Sequence, residues 1–271
     1  MPKKELGQHW LTDRLTLEAI VDCALPFAQG QTLSKTVVEI GPGLGTMTSV
    51  LLSRAARVIA VEYDADLARK LPGQFPGKNL EVVNQDILSY DFSGLSDDFI
   101  VVGNIPYYIT NKIVRKVSEG PLRPKVAVLL MQKEVAERLA AGPGEMSLLA
   151  ISAHVFHEVS LGPVVLRDKF TPPPKVDSQV IVLTRREQQL VPAEQQKAFF
   201  RVVRAGFAER RKKLRSSLAA GLAISKTDAE TLLAKAAISP DARAQELGIQ
   251  QWYELTNTIE YDSIVKIRSA H

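Results

Sequence analysis

An α/β fold is predicted, a mainly parallel sheet wound with helices on both faces and closed by an antiparallel edge hairpin, followed by a small all-α domain. Two observations predict it. Short apolar runs alternate with helical patterns as far as Leu130, and such alternation places parallel strands in one sheet. Beyond Arg185 the strand pattern stops and helical periodicity takes over.

The elements follow in order. A helix is expected from Asp13 to Leu25, with Asp13 as its cap. Val37–Ile40 is a strand running into Gly41-Pro42-Gly43-Leu44-Gly45, and Met47, Val50, Leu51 and Leu52 mark the helix after it. Val58–Glu62, Leu80–Val83, Phe99–Val102 and Val126–Leu130 read as buried strands. Val159–Leu166 and Val176–Leu183 lack intervening helix signals and form the expected edge hairpin. The polar stretch from Arg185 to Gln196 is the junction to a helical domain, with later helices near Asp228–Ala236 and Gln251–Ile259. The boundary falls between domains 1–187 and 188–271.

Composition excludes several classes. At 271 residues and 45% hydrophobic the chain buries a substantial core. Its single cysteine, Cys23, rules out an intrachain disulfide and lies among Ile20, Val21 and Ala24, where burial is expected. No apolar run reaches the roughly 18 residues of a membrane span, and Met1-Pro2-Lys3-Lys4 does not lead into a signal peptide. A soluble cytoplasmic protein is expected. Of four histidines, His154 and His157 sit at helical spacing, but no cysteine or acidic triad accompanies them, so no metal is expected.

The most informative stretch is Asn104-Ile105-Pro106-Tyr107, where a polar amide, a rigid turn and an aromatic ring follow an apolar strand. It suits a flat ring bearing an exocyclic amine. The Asn104 side-chain oxygen and the Ile105 carbonyl can accept from the amine, the latter because a residue before proline is held extended. Tyr107 can stack on the ring and position it for attack. Upstream, Gly41, Glu62 and Asp86 stand at three successive strand ends, on the edge where an open parallel sheet binds ligands. Glu62 suits the two hydroxyls of a ribose. A nicotinamide dinucleotide is the competing ligand, but the spacing is G-x-G-x-G, with Thr46 where the last fingerprint glycine would stand. Asp86 and Asn104 have no task in a dehydrogenase. Both have one with S-adenosylmethionine, Asp86 accepting from the adenine amine and the sulfonium facing Asn104.

Five segments then resemble the ribosomal RNA adenine N6,N6-dimethyltransferase family, in its small-subunit 16S branch. They are Lys4–Leu11, Val38–Gly45, Asn104–Thr110, Phe170-Thr171-Pro172-Pro173-Pro174-Lys175-Val176-Asp177-Ser178, and the basic Phe207–Leu218. The resemblance implies a Rossmann-like class I methyltransferase domain, with S-adenosylmethionine on His9, Leu11, Gly41, Gly43, Glu62, Asp86, Ile87 and Asn104. It implies dimethylation of two adjacent adenosines in the 3′-terminal loop of 16S rRNA, within the small subunit or its precursor, by a monomer needing no obligate protein partner. The catalytic group would be Asn104, Ile105, Pro106 and Tyr107, with Phe170 closing over the flipped base opposite Tyr107. The chain departs from the family where Gly-Gln-Asn-Phe-Leu is usual, having His9 and Trp10, and has Tyr108 where Asn is frequent. Alternatives are a noncatalytic RNA-binding assembly factor, a large-subunit rRNA methyltransferase and a DNA adenine methyltransferase.

The net charge of +4 is unevenly spread. Between Lys197 and Arg215 stand eight basic residues and one acid, Glu209, a net +7 that leaves the rest at −3. On one continuous helix, Lys197, Arg201, Arg204, Arg211, Lys212 and Arg215 would form a cationic stripe beside an apolar face of Phe200, Val203, Phe207, Leu214 and Leu218. Contact with RNA phosphates is expected there.

Overall fold

A computed structural model of the protein describes residues 8–24, 33–209 and 211–269, with side chains described as far as Ile259. Lys4–Gly7, Leu25 and Arg210 lie outside these. The chain divides into two compact units, residues 1–140 with 157–186, and residues 141–156 with 187–271.

The first unit begins with β1 (Trp10–Leu11) and α1 (Arg14–Asp22). Asp13 caps α1, its carboxylate accepting from the Thr16 backbone N–H. There follow β2 (Leu33–Ile40), α2 (Thr46–Leu51), β3 (Ala55–Glu62), α3 (Ala65–Lys70), β4 (Leu80–Asn84), β5 (Ile100–Asn104), α4 (Thr110–Glu119), β6 (Val126–Gln132) and α5 (Lys133–Ala140). After an excursion into the second unit as α6 (Leu148–Phe156), the chain returns as β7 (His157–Val165), β8 (Phe170–Thr171) and β9 (Ser178–Arg185). Seven strands form one sheet in the order β4-β3-β2-β5-β6-β9-β7. The first five pair in parallel, while β9 runs antiparallel to both β6 and β7. This is the expected edge hairpin, and the fold is Rossmann-like.

Burial explains the strand content. Ile100, Val101 and Val102 are covered on both faces, as the central strand of a doubly wound sheet requires. Strand order reverses between β2 and β5, so their carboxyl ends open a crevice where loops leave in opposite directions. Gly103 is what lets the two ends approach: a Cβ there would lie 2.9 Å from Ile40 Cβ and 3.0 Å from the Ile40 carbonyl oxygen.

The second unit adds α7 (Gln196–Gly206), α8 (Leu214–Leu222), α9 (Lys226–Lys235) and α10 (Ile249–Ser269). Its core joins Phe199, Val202 and Trp252 to Ala150, Ile151, Val155 and Phe156 of α6. Residues 141–156, expected in the first domain, therefore belong with the helical unit, because the apolar face of α6 packs there. His157 opens β7 rather than extending α6, so the helical spacing of His154 and His157 does not hold. Cys23 is half-buried against β7 rather than enclosed.

The single basic helix also needs correction. The chain breaks between α7 and α8, where Lys213 is extended and the Leu214 N–H bonds the Ala242 carbonyl at 2.7 Å. One straight rod would present a single stripe to the core. Two shorter helices let Phe207, which packs on Trp252, and Leu214 enter the same core from different directions.

Candidate active site

A hollow of about 400 Å³ lies in the first unit at the carboxyl ends of β2, β3, β4 and β5. Its floor is the glycine loop, where Gly41, Gly43 and Gly45 take φ values of 63°, 58° and 80°, a region that suits residues without a Cβ. The Gly41 N–H bonds the Val61 carbonyl at 2.9 Å, tying the loop to the next strand. Thr46, standing where a dinucleotide fingerprint would have glycine, uses its hydroxyl to donate to the Leu11 carbonyl at 2.8 Å.

Glu62 is buried at the end of β3, and each of its oxygens accepts one backbone N–H, from Gly43 at 3.0 Å and from Asp64 at 2.8 Å. Each oxygen keeps a further lone-pair site, so the carboxylate can receive two hydroxyls while staying oriented. Burial pushes its pKa upward with the Asp64 charge adding to it, and backbone N–H bonds from Asp64, Gly43 and Tyr63 oppose that. At the end of β4, Asp86 accepts from the Leu88 N–H through one oxygen at 2.9 Å. Deeper in the wall, Glu39 accepts from the Thr48 hydroxyl at 2.6 Å. Burial drives its pKa up to about 8, with Thr48 opposing and Glu62 reinforcing the shift.

The far wall is the clamp. Asn104 donates from Nδ2 to the His9 carbonyl at 3.0 Å. A carbonyl can only accept, so this bond settles the amide orientation and leaves Oδ1 as the acceptor. Tyr107 is held at its far end by a 2.7 Å hydrogen bond between its hydroxyl and that of buried Ser178 on β9. Burial raises the Tyr107 pKa, keeping the phenol neutral. Ile105 is buried and its N–H bonds the Leu130 carbonyl, anchoring the turn to β6.

His9, Leu11, Gly41, Gly43, Glu62, Asp86, Ile87, Asn104, Ile105, Pro106 and Tyr107 all line this hollow. Phe170 does not. Its ring is 2% exposed and packs with Leu11, Leu17 and Val180, because β8 pairs with β1 and the pairing folds residue 170 inward. Phe170, expected to close over the base opposite Tyr107, thus lies outside the hollow that Tyr107 lines. Sequence reasoning gave no role to Tyr63 or Ser178, and expected Trp10 to keep an aromatic wall. Tyr63 follows Glu62 and stands 64% exposed on the rim. Trp10 lies against Gly43, with its indole N–H buried and without a hydrogen-bond partner. Ser178 closes the quoted proline segment, and its service to Tyr107 is visible only across the sheet.

These features fit a sulfonium nucleoside: a floor free of Cβ atoms, a doubly braced carboxylate for a ribose, and an orphaned donor beside the loop. Comparison with known proteins agrees. The family model described as ribosomal RNA adenine dimethylase matches residues 2–261. The chain belongs to the ribosomal RNA adenine dimethylase family. It is an S-adenosylmethionine-dependent rRNA adenine dimethyltransferase by that membership. Relatives named ribosomal RNA small subunit methyltransferase A include one from Dehalococcoides mccartyi, 38% identical over 93% of this chain and 87% of its own. Another, from Synechocystis, is 38% identical over 95% of this chain and 96% of its own. Among solved structures, a dimethyladenosine transferase from Plasmodium falciparum aligns with TM-score 0.76 and 26% identity, covering 91% of this chain and 96% of that one. The 23S rRNA methyltransferase ErmE aligns with TM-score 0.73 and 29% identity, covering 93% and 99%.

In the second unit of this dimethyltransferase the basic residues fall into two groups. Lys197, Arg201 and Arg204 are exposed along α7. Arg211, Lys212 and Arg215 border a cleft shared with Lys213, Lys226 and Arg243. Arg215 is already engaged, 3.0 Å from Glu230 and 3.5 Å from Asp241, and Lys213 lies 2.8 Å from Asp241. Lys226 and Arg243 come from other elements and were beyond the reach of a single-helix reading. Among the described residues no group of histidine, cysteine and acidic side chains could hold a metal ion, and no helix is long and apolar enough to cross a membrane.

Proposed function

We infer that the protein dimethylates the N6 amines of two adjacent adenosines in the 3′-terminal hairpin loop of small-subunit 16S rRNA during ribosome biogenesis. The observation that carries this reading is the Asn104 amide, oriented by the His9 carbonyl so that its oxygen is left to accept, in the same hollow as Glu62 and the glycine loop.

S-adenosylmethionine supplies an already activated methyl group on its sulfonium. Gly41 and Gly43 admit it closely, Glu62 receives its ribose hydroxyls, Asp86 and Ile87 border its adenine, and Leu11 closes the hollow from the β1 side. Asn104 Oδ1 and the Ile105 carbonyl accept from the adenosine amine and turn its lone pair toward the methyl. Pro106 stiffens the turn, and Tyr107 stacks on the extruded base. Positioning carries most of the acceleration, and the amine proton leaves to solvent after transfer. Lys197, Arg201, Arg204, Arg211 and Lys212, with a lesser share from Arg215, hold RNA phosphates. The enzyme acts as a cytoplasmic monomer on the small subunit or its precursor.

A large-subunit target is the second reading, favoured by the likeness to the 23S enzyme. The greater identity to relatives named for the small subunit weighs against it. Incubating the purified protein with labelled cofactor and with undermethylated small subunits or large-subunit RNA, then mapping dimethyladenosine, decides between them. Product confined to two adjacent adenosines of the small subunit is expected, and product on large-subunit RNA alone would overturn the reading.

A further inference from the structure

Tyr107 and Tyr108 are consecutive residues of a 3₁₀ turn that leads into α4. Each residue of such a turn is rotated by about 120° from the one before it, so the two rings face different ways. Tyr107 is turned inward, its hydroxyl held by Ser178, whereas Tyr108 stands 64% exposed at the mouth of the hollow. The turn is pinned by the Ile109 N–H, which bonds the Pro106 carbonyl at 3.2 Å.

A single exposed ring is ordinary on a protein surface. This one has a cation beside it. Lys112 lies in the first turn of α4, four residues beyond Tyr108, and borders the same hollow. The other two cations of α4 are committed elsewhere: Arg115 pairs with Glu119 at 3.2 Å, and Lys116 donates to the Leu88 carbonyl at 3.2 Å with its ammonium over the Phe92 ring. Lys112 is exposed and, among the described residues, has no acidic side chain within ion-pair distance.

A stacking face beside a positive charge suits a nucleotide of single-stranded RNA, the ring taking the base and the ammonium a phosphate. Tyr63, also exposed on this rim, belongs to the other side. It follows Glu62, and its carbonyl accepts from Asn84 at the end of β4, next to the carboxylates that suit the cofactor.

We propose that Tyr108 and Lys112 form a second nucleotide subsite, in which a base flanking the extruded adenosine stacks on the Tyr108 ring and a neighbouring phosphate meets the Lys112 ammonium. The proposal rests on the adenine-methylating function and names what grips the strand beside the target. Adjacent rings on the turn then serve adjacent bases: the target enters beside Asn104 and Tyr107, and its neighbour is kept from stacking back on it. With two adjacent target adenosines, that neighbour is itself a substrate or a product in one of the two modifications. Stacking uses the face of a base and leaves its edge free, so the subsite accepts the neighbour before and after methylation.

The test uses the full-length protein with Tyr108→Phe, Tyr108→Ala, Lys112→Ala and Tyr108→Asn, the last introducing the residue frequent in the family. Undermethylated small subunits are reconstituted intact or with an abasic nucleotide at one or the other target position, so that the remaining adenosine lacks its neighbour's base on one side. Methyl transfer to intact particles by the unaltered protein is the control for the function itself. With that transfer present, Tyr108→Ala and Tyr108→Asn should lower kcat/KM roughly five- to a hundredfold, and Tyr108→Phe less than about twofold. Calorimetric affinity for S-adenosylmethionine should be unchanged. The Ala loss should vanish on one of the two abasic particles, where there is no base to stack, and persist on the other. Lys112→Ala should flatten the salt dependence of particle binding by about 0.7 in the log–log slope. Equal kcat/KM for the unaltered and Ala proteins, a loss persisting in full on both abasic particles, or a drop in cofactor affinity that accounts for the lost transfer would each overturn the proposal. An unchanged salt slope would overturn the part assigned to Lys112. Particle binding in the presence of S-adenosylhomocysteine gives a readout that needs no transfer. Absence of transfer by the unaltered protein would strike the function, and equal affinity of the unaltered and Tyr108→Ala proteins for the particle would then reject the subsite independently.

Discussion

Replacing Glu39 by glutamine should make the protein's stability less dependent on pH. Glu39 is fully enclosed at the base of the hollow, with Thr48 donating to one oxygen, and its pKa rises from 4.5 to about 8 because burial disfavours the charge. The folded state therefore holds a proton that the unfolded chain releases between these values. Stability from this group is fully present below pH 4.5 and is lost as pH rises through 8. At about 1.36 kcal/mol per unit, the whole excursion amounts to about 5 kcal/mol. Glutamine keeps an acceptor for Thr48 and cannot ionise. Urea unfolding of the cofactor-free protein from pH 5 to pH 9, following the transition of the unit that contains Trp10, measures the difference. The variant should gain on the parent by about 1.4 kcal/mol per pH unit up to pH 8 and level off above it. Parallel curves for the two proteins would refute the reasoning, since they would mean that Glu39 titrates alike in the folded and unfolded chains.

Other expectations follow from single contacts. Asn104→Ala removes the amine acceptor and should lower methyl transfer about a hundredfold, with calorimetry showing RNA binding retained. Ser178→Ala leaves the buried end of Tyr107 unpartnered and should cost about 1 kcal/mol in kcat/KM, roughly fivefold, without changing cofactor affinity. Replacing Arg211 and Lys212 together with alanine should flatten the salt dependence of RNA binding by about 1.5 in the log–log slope. Arg215→Ala, measured in the same titration, should change that slope less, because Glu230 and Asp241 already hold its guanidinium.

Much of the architecture was legible because the signals are local. The strand ends at Ile40, Glu62 and Asn104 are marked by apolar runs stopping at glycine or polar residues, and the structure ends β2, β3 and β5 there. The edge hairpin showed as two apolar runs without helical periodicity between them. The misread parts concern packing partners. Helical periodicity extended through residues 207–213 shows no break, because the break comes from the Ala242 carbonyl and Trp252, far along the chain. The apolar residues of α6 carry no mark of which core they join. Phe170, ahead of three prolines, reads as a ring closing over a base or as a core anchor, and only the pairing of β8 with β1 favours the anchor.

The sequence by itself determined the order of strands and helices, the glycine loop, the carboxylate after β3 and the Asn-Ile-Pro-Tyr turn, since each is written in the spacing and chemistry of adjacent residues. Tertiary structure decided which groups face one another: the His9 carbonyl on the Asn104 amide, Ser178 on Tyr107, and the His9 ring beside that of Tyr107. Those contacts join residues some seventy to a hundred positions apart. Their geometry is set by how the sheet brings its strand ends together, and no local pattern in the chain encodes that.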